Sequence, residues 1–180
     1  MADINVKVKR LHSDAVIPQL ATAQSAGFDL VAVEDVIIEP GDTVKVPTGL
    51  AFELPPGYEM QIRPRSGVTL KTKLRVQFGT VDADYRGEVA VIVDNTYASR
   101  YTRWGLGKDY SAKLLDGVTT MPLYTLYMDH AYIIRAGDRI AQAVIQRVPF
   151  VTLTEVGELG ETGRGAGGFG STGTNTKEDE

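Results

Sequence analysis

A turn followed by a β-strand can be read directly from Pro55-Pro56-Gly57-Tyr58-Glu59-Met60-Gln61-Ile62-Arg63. Pro-Pro-Gly is typical of a turn. After it, the apolar Tyr58, Met60 and Ile62 alternate with polar residues. Because successive side chains of a strand point to opposite faces, this alternation predicts a strand with one face buried in a core.

The same alternation recurs along most of the chain. Ile4, Val6 and Val8 alternate with polar residues, and Val89–Val93 is apolar on both faces, which indicates a central strand. A short helix is predicted at residues 66–71, and sustained helical periodicity is absent. Many short strands separated by Gly- and Pro-containing turns predict an all-β sandwich, jelly roll or barrel. Further strands are predicted at residues 29–33, 36–38, 43–47, 50–54, 74–78, 131–135 and 140–148.

The composition excludes several classes of protein. The chain has 180 residues, a formal net charge of −4 and no cysteine. Disulfides, thiolate metal sites and a cysteine nucleophile are therefore excluded, and the negative charge argues against stable nucleic-acid binding. The first residues lack the apolar stretch of a signal peptide, and no apolar run approaches the ~20 residues that span a bilayer. We expect a cytoplasmic protein with no membrane association.

Groups suited to anion binding occur where the strand at Arg63 continues into Pro64-Arg65-Ser66-Gly67. Proline stiffens the turn between the two arginines. Arg65 and Ser66 stand at the predicted start of the short helix, where free backbone N–H groups attract anions. The alternative is a surface turn in which Ser66 caps the helix. The motif alone leaves both interpretations open.

An acidic turn is predicted at Gly79-Thr80-Val81-Asp82-Ala83-Asp84-Tyr85-Arg86-Gly87. A hairpin here would place Asp82 and Tyr85 on its rim, where they could face a ligand. Asp84 could instead serve the turn itself through backbone hydrogen bonds. An acidic hairpin loop without a ligand is the alternative.

Two further segments carry polar groups on predicted strands. Gly137-Asp138-Arg139-Ile140-Ala141-Gln142 is a tight turn that enters a strand, and Gln142 offers an amide to a phosphate or a water. Ala26-Gly27-Phe28-Asp29-Leu30 places one carboxylate in an apolar strand. Because a buried carboxylate is costly unless it is paired, we predict a partner for Asp29, and Arg139 is a candidate.

The region near the C-terminus is dominated by glycine and reads Gly163-Arg164-Gly165-Ala166-Gly167-Gly168-Phe169-Gly170-Ser171-Thr172-Gly173. This segment, called here the glycine arm, has little side-chain surface with which to join a core, so we expect it to stay mobile until a ligand binds. Its arginine, hydroxyls and N–H groups suit phosphate oxygens, and its single aromatic ring suits a base. The arm is predicted to be a nucleotide lid; a disordered Gly/Ser tail is the alternative.

Taken together and in this order, the five segments resemble the motifs of the trimeric dUTP diphosphatase (dUTPase) family. The resemblance covers most of the chain and implies a jelly-roll subunit and a homotrimer with active sites at subunit interfaces. It implies hydrolysis of dUTP to dUMP and pyrophosphate, which keeps uracil out of DNA and supplies dUMP for thymidylate synthesis. It also implies Mg²⁺ as cofactor, held through the triphosphate and water rather than by direct protein ligands.

The resemblance also implies roles for individual residues. Asp82 would be the catalytic residue that readies water for attack on the α-phosphorus, and Tyr85 would lie under the deoxyribose and exclude a 2′-hydroxyl. Asp29 and Arg139 would support the site. The other substrate-binding residues would be Arg65, Ser66, Gly67, Gly79, Thr80, Val81, Gln142, Arg164, Phe169, Gly170, Ser171 and Thr172.

Two segments depart from the family pattern. Val76, Gln77 and Phe78 stand where members often have glycine or asparagine, in the hairpin that reads uracil. Residues 96–130 form a longer link than short members have between the third and fourth motifs, and they hold the single tryptophan and five of the 8 tyrosines. Some phage-encoded members with an insertion here bind repressor proteins, and aromatic residues suit such a protein partner. A hairpin or loop packed against its own trimer is the alternative.

The expected organisation follows from these readings. Residues 1–155 would form a single jelly-roll domain that includes the insert at about 96–130, and residues 156–180 would form a flexible arm that closes a neighbouring subunit's site. The cell would be bacterial, with or without a phage. Two functions compete with dUTP hydrolysis: dCTP deamination, which uses the same fold, and partner binding through the insert. The aspartate–tyrosine hairpin and the complete glycine arm favour the hydrolase.

Overall fold

The computed structural model describes residues 4–97, 111–122 and 130–168, and these are built almost entirely of β-strands. The all-β prediction is therefore confirmed. The helix α1 (Ser66–Lys71) lies at the residues predicted for it. The strands are β1 (Lys7–Arg10), β2 (Phe28–Val31), β3 (Val36–Ile38), β4 (Thr43–Glu53), β5 (Tyr58–Pro64), β6 (Leu74–Val76), β7 (Gly79–Val81), β8 (Val89–Asn95), β9 (Ser111–Lys113), β10 (Thr120–Pro122), β11 (Tyr132–Ile134) and β12 (Arg139–Arg147). Within the described ranges, no helix has the length and hydrophobicity that a membrane crossing requires.

The strands form three four-stranded sheets. Their orders are β1-β4-β8-β6, β2-β12-β5-β7 and β10-β9-β11-β3. The strand β8 is an interior strand of the first sheet, as its sequence predicted, and Val89, Val91 and Val93 are buried on one of its faces. On its other face Ile92 is 49% exposed in the single chain. The strand β5 is an interior strand of the second sheet, between β12 and β7.

Residues 43–47 and 50–54, predicted as two strands, belong to one long strand, β4. The pairing of β4 with β8 shifts register between Pro47 and Leu50. Gly49 lies in the shift with a φ of 66°, a left-handed conformation that glycine adopts without steric cost. Its N–H donates to Glu88 Oε1 at 2.9 Å. The bulge lets one strand pair with β8 and then with β1.

The main core draws on strands of all three sheets. Full burial of one such aliphatic side chain contributes about 1.5–3 kcal/mol. The largest side chains that are fully buried include Leu30, Ile38, Leu50, Met60, Leu74, Ile134 and Ile140. They come from strands that are widely separated in sequence. Their packing against one another therefore holds the three sheets together.

Part of the segment at residues 96–130 is an ordered hairpin. The strands β9 and β10 pair antiparallel, and β9 also pairs parallel with β11 at Lys113 and Tyr132. Ala112 packs with Ala131 and Ile133 in a small second core. These two strands were not predicted from the sequence. Most of the aromatic residues in this segment lie outside the described residues.

The two ends of the segment at residues 96–130 are in contact with each other. The ring of Tyr97 stacks on that of His130 with centroids 3.8 Å apart and planes 14° apart. The buried Asn95 donates its Nδ2 to the carbonyls of Ile38 and His130 at 3.1 and 3.0 Å. His130 itself has a φ of 73°. The chain therefore leaves β8 and returns to β11 at one place.

The chain divides into two compact units, Met1–Pro149 and Phe150–Glu180. All the strands and the helix named above belong to the first unit. In the second unit, Phe150, Leu153 and Leu159 are largely exposed.

Candidate active site

A cavity of about 350 Å³ opens where β5 ends and α1 begins. Polar groups and small residues line it, as expected for a site that admits a polar ligand. The lining residues are Ala21, Ser25, Ala26, Gly27, Asp29, Arg65, Ser66, Gly67, Arg139 and Gln142. The sequence had singled out most of these from three separate motifs. The fold therefore gathers the first, second and fourth of the five segments into one place.

Strand pairing explains why these segments meet. The strand β12 lies between β2 and β5, and Gln142 stands opposite both Asp29 and Arg63. Gln142 Nε2 donates to the carbonyl of Pro64 at 2.9 Å, which ties β12 to the end of β5. Gly27 permits the close approach of β2, because a Cβ at this position would overlap the carbonyl of Ala143.

Asp29 holds two arginines in the cavity wall. Its Oδ1 lies 2.9 Å from Arg65 Nε, and its Oδ2 lies 3.3 Å from Arg139 Nη1. Arg65 Nη1 also donates to the carbonyl of Arg139 at 2.7 Å. The predicted pairing of Asp29 with Arg139 is thus present, and a second partner, Arg65, was not predicted. Two guanidinium groups against one carboxylate leave this wall positive, which suits phosphate oxygens.

Replacing Asp29 by asparagine is expected to lower the free energy of unfolding by about 1–2 kcal/mol, because the partly buried Arg65 and the more exposed Arg139 lose their shared counter-charge. The Asp29 side chain is 24% exposed. Urea unfolding measures the change. Glu53→Gln is the matched control, because the Lys7–Glu53 pair is 70% and 46% exposed and should contribute less. Equal losses in the two variants would mean that Asp29 does not organise this wall.

The start of α1 supplies backbone donors. Arg65 is the N-cap residue, with φ −92° and ψ 130°, and no side chain caps the helix. Ser66 is the first helical residue, so the alternative in which it caps the helix is not observed. The first N–H groups of a helix have no partner within the helix and attract anions. Arg65, Ser66 and Gly67 therefore present a side-chain cation, a hydroxyl and free N–H groups to the cavity.

The acidic turn forms a compact loop between β7 and β8. The N–H of Tyr85 donates to the carbonyl of Asp82 at 3.2 Å, and Tyr85 Oη donates to the carbonyl of Glu88 at 3.1 Å. The tyrosine lies so close to Gly87 that a Cβ there would overlap its hydroxyl. Asp82 and Tyr85 are exposed on this loop, as predicted. The predicted hairpin is wrong, however, because β7 pairs with β5 and β8 pairs with β4 and β6 in another sheet.

Comparison with known proteins agrees with this arrangement. The model of the dUTPase family matches residues 13–101. A deoxyuridine 5'-triphosphate nucleotidohydrolase of Helicobacter hepaticus is 42% identical over 98% of this chain and 94% of its own length. The chain belongs to the dUTPase family. Its activity is therefore the hydrolysis of dUTP, and the predicted family, fold class and enzyme class are confirmed.

Two solved structures of phage dUTPases resemble the chain. The dUTPase of Staphylococcus bacteriophage 80alpha with dUPNHPP is 29% identical, with a TM-score of 0.83 over 94% of this chain and 99% of that one. A mutant dUTPase from phage phi11 of S. aureus, which coordinates a structural Mg(II) ion, is 27% identical, with a TM-score of 0.77 over 86% and 97%. The identity to the bacterial enzyme is higher than to either phage enzyme.

The acidic loop of this dUTPase does not line the cavity. Val81 pairs with Met60 near the start of β5, so Asp82 follows at that end of the sheet. Arg65 comes about five residues beyond Met60, or ~16 Å along the sheet at ~3.3 Å per residue. Asp82 is therefore separated from Arg65 within one chain.

The described part of the dUTPase glycine arm is a turn. The N–H of Gly165 donates to the carbonyl of Thr162 at 3.0 Å, and Arg164 Nε donates to the carbonyl of Gly167 at 2.8 Å. Gly165 has a φ of 50°. The remaining residues predicted to bind substrate from the arm lie outside the described residues; they are Phe169, Gly170, Ser171 and Thr172.

Three features of the site were missed by the sequence reasoning. Arg65 was assigned to phosphate alone, although it also pairs with Asp29. Gly27 was not recognised as a point of close backbone approach, because it precedes the strand predicted at residues 29–33 and the signal of a glycine inside a strand did not apply. No local sequence pattern indicated that Ala21 and Ser25 line the cavity, because their position depends on how the chain before β2 packs.

Proposed function

We propose that dUTP is hydrolysed between copies of this chain, with the phosphates in the cavity of one subunit and the nucleoside at the acidic loop of another. The separation of Asp82 from Arg65 within one chain carries the proposal, since a catalytic carboxylate must reach the phosphorus that is attacked. A closed ring of three identical subunits supplies this arrangement three times. The family resemblance and this separation together support a homotrimer.

The triphosphate fits the positive cavity. Arg65 and the first N–H groups of α1 at Ser66 and Gly67 bind phosphate oxygens, and the amide of Gln142 contacts a phosphate or its water. Asp29 and Arg139 act as positioning residues, because Asp29 aligns both guanidiniums. Aligned charges of this kind stabilise the charge that develops as pyrophosphate leaves.

The nucleoside fits the acidic loop and the strand that leads to it. The strand β7 is an edge of its described sheet, so alternate residues among Gly79, Thr80 and Val81 have backbone N–H and C=O groups available on its outer side. Uracil presents an amide-like edge of donors and acceptors that can pair with such a strand. Tyr85 lies under the deoxyribose and leaves no room for a 2′-hydroxyl.

Asp82 activates the water that attacks the α-phosphorus. Its exposed carboxylate accepts a proton from the water, the new P–O bond forms, and the bond from the α-phosphorus to the bridging oxygen breaks. The products are dUMP and pyrophosphate. This reaction removes the precursor through which uracil enters DNA and yields dUMP for thymidylate synthesis.

The residues present suit a Mg²⁺ ion that arrives with the substrate. Within the described ranges there is no group of three or more His, Asp or Glu side chains placed to hold a metal, and Asp29 is engaged by two arginines. Phosphate oxygens and water are ligands that Mg²⁺ prefers. When bound, the ion would offset negative charge on the departing pyrophosphate.

The glycine arm closes the site. Arg164, Ser171 and Thr172 reach the phosphates, Phe169 stacks over the uracil, and the bare backbone at Gly170 lets the arm approach closely. Ordering this arm on substrate excludes bulk water and aligns the triphosphate for in-line attack.

Mixing two inactive variants tests whether the site is shared. At dUTP concentrations well below KM, Asp82→Asn and Arg65→Ala should each release very little pyrophosphate alone, Asp82→Asn through a lowered kcat and Arg65→Ala through a raised KM. After the two are unfolded together in equal amounts and refolded, one chain of each kind can supply one intact half of a site. Random assembly restores both halves at about a quarter of the sites, so about a quarter of wild-type pyrophosphate release should return.

The control is the same two variants refolded separately and then mixed without exchange of subunits, which should stay inactive. A mixture that regains no activity, although it forms oligomers of the wild-type size by light scattering, would mean that each chain holds its own complete site. The shared-site proposal would then be wrong.

A second role in partner binding through residues 96–130 stays a prediction of the sequence. Phage dUTPases, among them the 80alpha enzyme, control transfer of virulence genes. In this chain the described part of the segment favours the packing alternative, because Ala112 joins a small core with Ala131 and Leu115 contacts the main core.

A further inference from the structure

The turn between β9 and β10, at Leu114–Thr119, lies against the end of α1 opposite the cavity. Gly117 approaches the last helical residue, Lys71, so closely that a Cβ on Gly117 would overlap the carbonyl oxygen of Lys71 and lie 2.9 Å from its carbonyl carbon. Gly117 also has a φ of 74°. Both facts require glycine at this position.

The turn is held rigidly by its own hydrogen bonds. Asp116 Oδ1 accepts from the N–H groups of Val118 and Thr119, each at 2.8 Å, and the other carboxylate oxygen accepts from the hydroxyl of Thr119. Gly117 donates its N–H to the carbonyl of Leu114 at 2.9 Å. The bond from the Thr119 hydroxyl and those from the two N–H groups hold the pKa of Asp116 below its ordinary value. A pre-formed turn of this kind resists displacement.

The other contacts at the end of α1 leave it little freedom. Thr72 donates its N–H and its hydroxyl to the carbonyl of Val68 at 3.1 and 2.7 Å. Arg75 Nη1 donates to the carbonyls of Thr69 and Thr72 at 3.2 and 3.1 Å. Two of the carbonyls that a helix leaves unpaired at its end, those of Val68 and Thr69, thus have partners, and Gly117 lies against the carbonyl of Lys71.

We propose that the Leu114–Thr119 turn is a positioning element for dUTP hydrolysis, in which Gly117 sets the place of α1 and thereby of Arg65, Ser66 and Gly67 in the cavity. The inference rests on the proposed function of that cavity. A helix of this length spans ~9 Å at ~1.5 Å per residue, and it moves as one body. A shift at Lys71 is therefore transmitted to the phosphate-binding end.

Gly117→Ala tests the proposal, and Gly57→Ala is the matched control. Gly57 has a φ of 82°, but its nearest neighbour to a new Cβ is the carbonyl of Val148 at 4.0 Å, so the control carries the backbone strain without the overlap. Both variants should lose thermal stability. Only Gly117→Ala should lower kcat/KM for dUTP, by about tenfold or more and mainly through a raised KM, because displaced phosphate ligands bind less well.

A second pair of variants keeps the test decisive if Gly117→Ala fails to fold. Asp116→Ala removes the acceptor that fixes the turn and should raise KM in the same direction by a smaller factor. Asp116→Asn keeps an acceptor oxygen and should restore KM toward the wild-type value. A purely structural role would lower stability in Asp116→Ala and leave KM unchanged.

Arg65→Ala in the same assay distinguishes phosphate binding by the cavity from positioning by the Leu114–Thr119 turn. If Arg65→Ala leaves KM for dUTP unchanged, the cavity does not bind phosphate and the proposed function fails, together with the inference that rests on it. If Arg65→Ala raises KM while Gly117→Ala behaves like Gly57→Ala, and Asp116→Ala also leaves KM unchanged, the cavity stands and only the role of the turn is overturned.

Discussion

Replacing Asp82 by asparagine is expected to reduce kcat for dUTP hydrolysis by roughly 10²–10⁴-fold, because the amide cannot take the proton of the attacking water. The loop itself should be preserved, since the bond from the Tyr85 N–H uses the backbone carbonyl of residue 82. Pyrophosphate release at saturating dUTP and Mg²⁺ measures kcat. The dissociation constant of a non-hydrolysable dUTP analogue should change little.

Asp84→Asn is the control for this experiment. Asp84 is an exposed aspartate in the same loop, and its replacement removes one negative charge without touching the proposed catalytic group. Turnover should stay near the wild-type value. If Asp82→Asn hydrolyses dUTP as fast as Asp84→Asn, another group activates the water.

Ending the chain at Thr162 is expected to lower kcat/KM for dUTP by about 10²-fold or more, because the site loses its cover and the four side chains proposed to reach the phosphates and the base. The main body should remain folded. All the strands and α1 lie in Met1–Pro149, and Phe150, Leu153 and Leu159 in the second unit are already largely exposed. Circular dichroism and light scattering check the fold and the oligomer, and pyrophosphate release checks activity.

A chain that ends at Gly173 is the control, since it keeps the glycine arm and removes only the acidic end that includes Glu178, Asp179 and Glu180. It should be fully active. Unfolding of the shorter chain would assign the arm a structural role, and full activity of the shorter chain would remove the lid from the mechanism.

Local sequence was sufficient to predict elements whose boundaries are set by local chemistry. The Pro-Pro-Gly turn and the alternation after it locate β5, and the helix lies where Ser66 follows a proline-stiffened turn. The pairing of Asp29 with Arg139 was predictable because an unpaired carboxylate in an apolar strand is costly.

Features that depend on strand pairing were not predictable in the same way. The strand β4 was divided into two because Pro47 and Gly49 give a turn signal, yet the pairing with β8 continues past them through a bulge. The distance between Asp82 and Arg65 depends on the register of β7 against β5, which no local pattern encodes. The pair formed by β9 and β10 was missed because each strand is very short.

The stacked rings of Tyr97 and His130 affect how well this protein tolerates inserted residues. The chain leaves β8 and returns to β11 at one place. Residues added between these two rings therefore lengthen a segment whose ends are already in contact. The entropy of closing a loop rises only slowly with its size. Insertions between Tyr97 and His130 should therefore change the free energy of unfolding little, provided that the turn touching Lys71 keeps its shape.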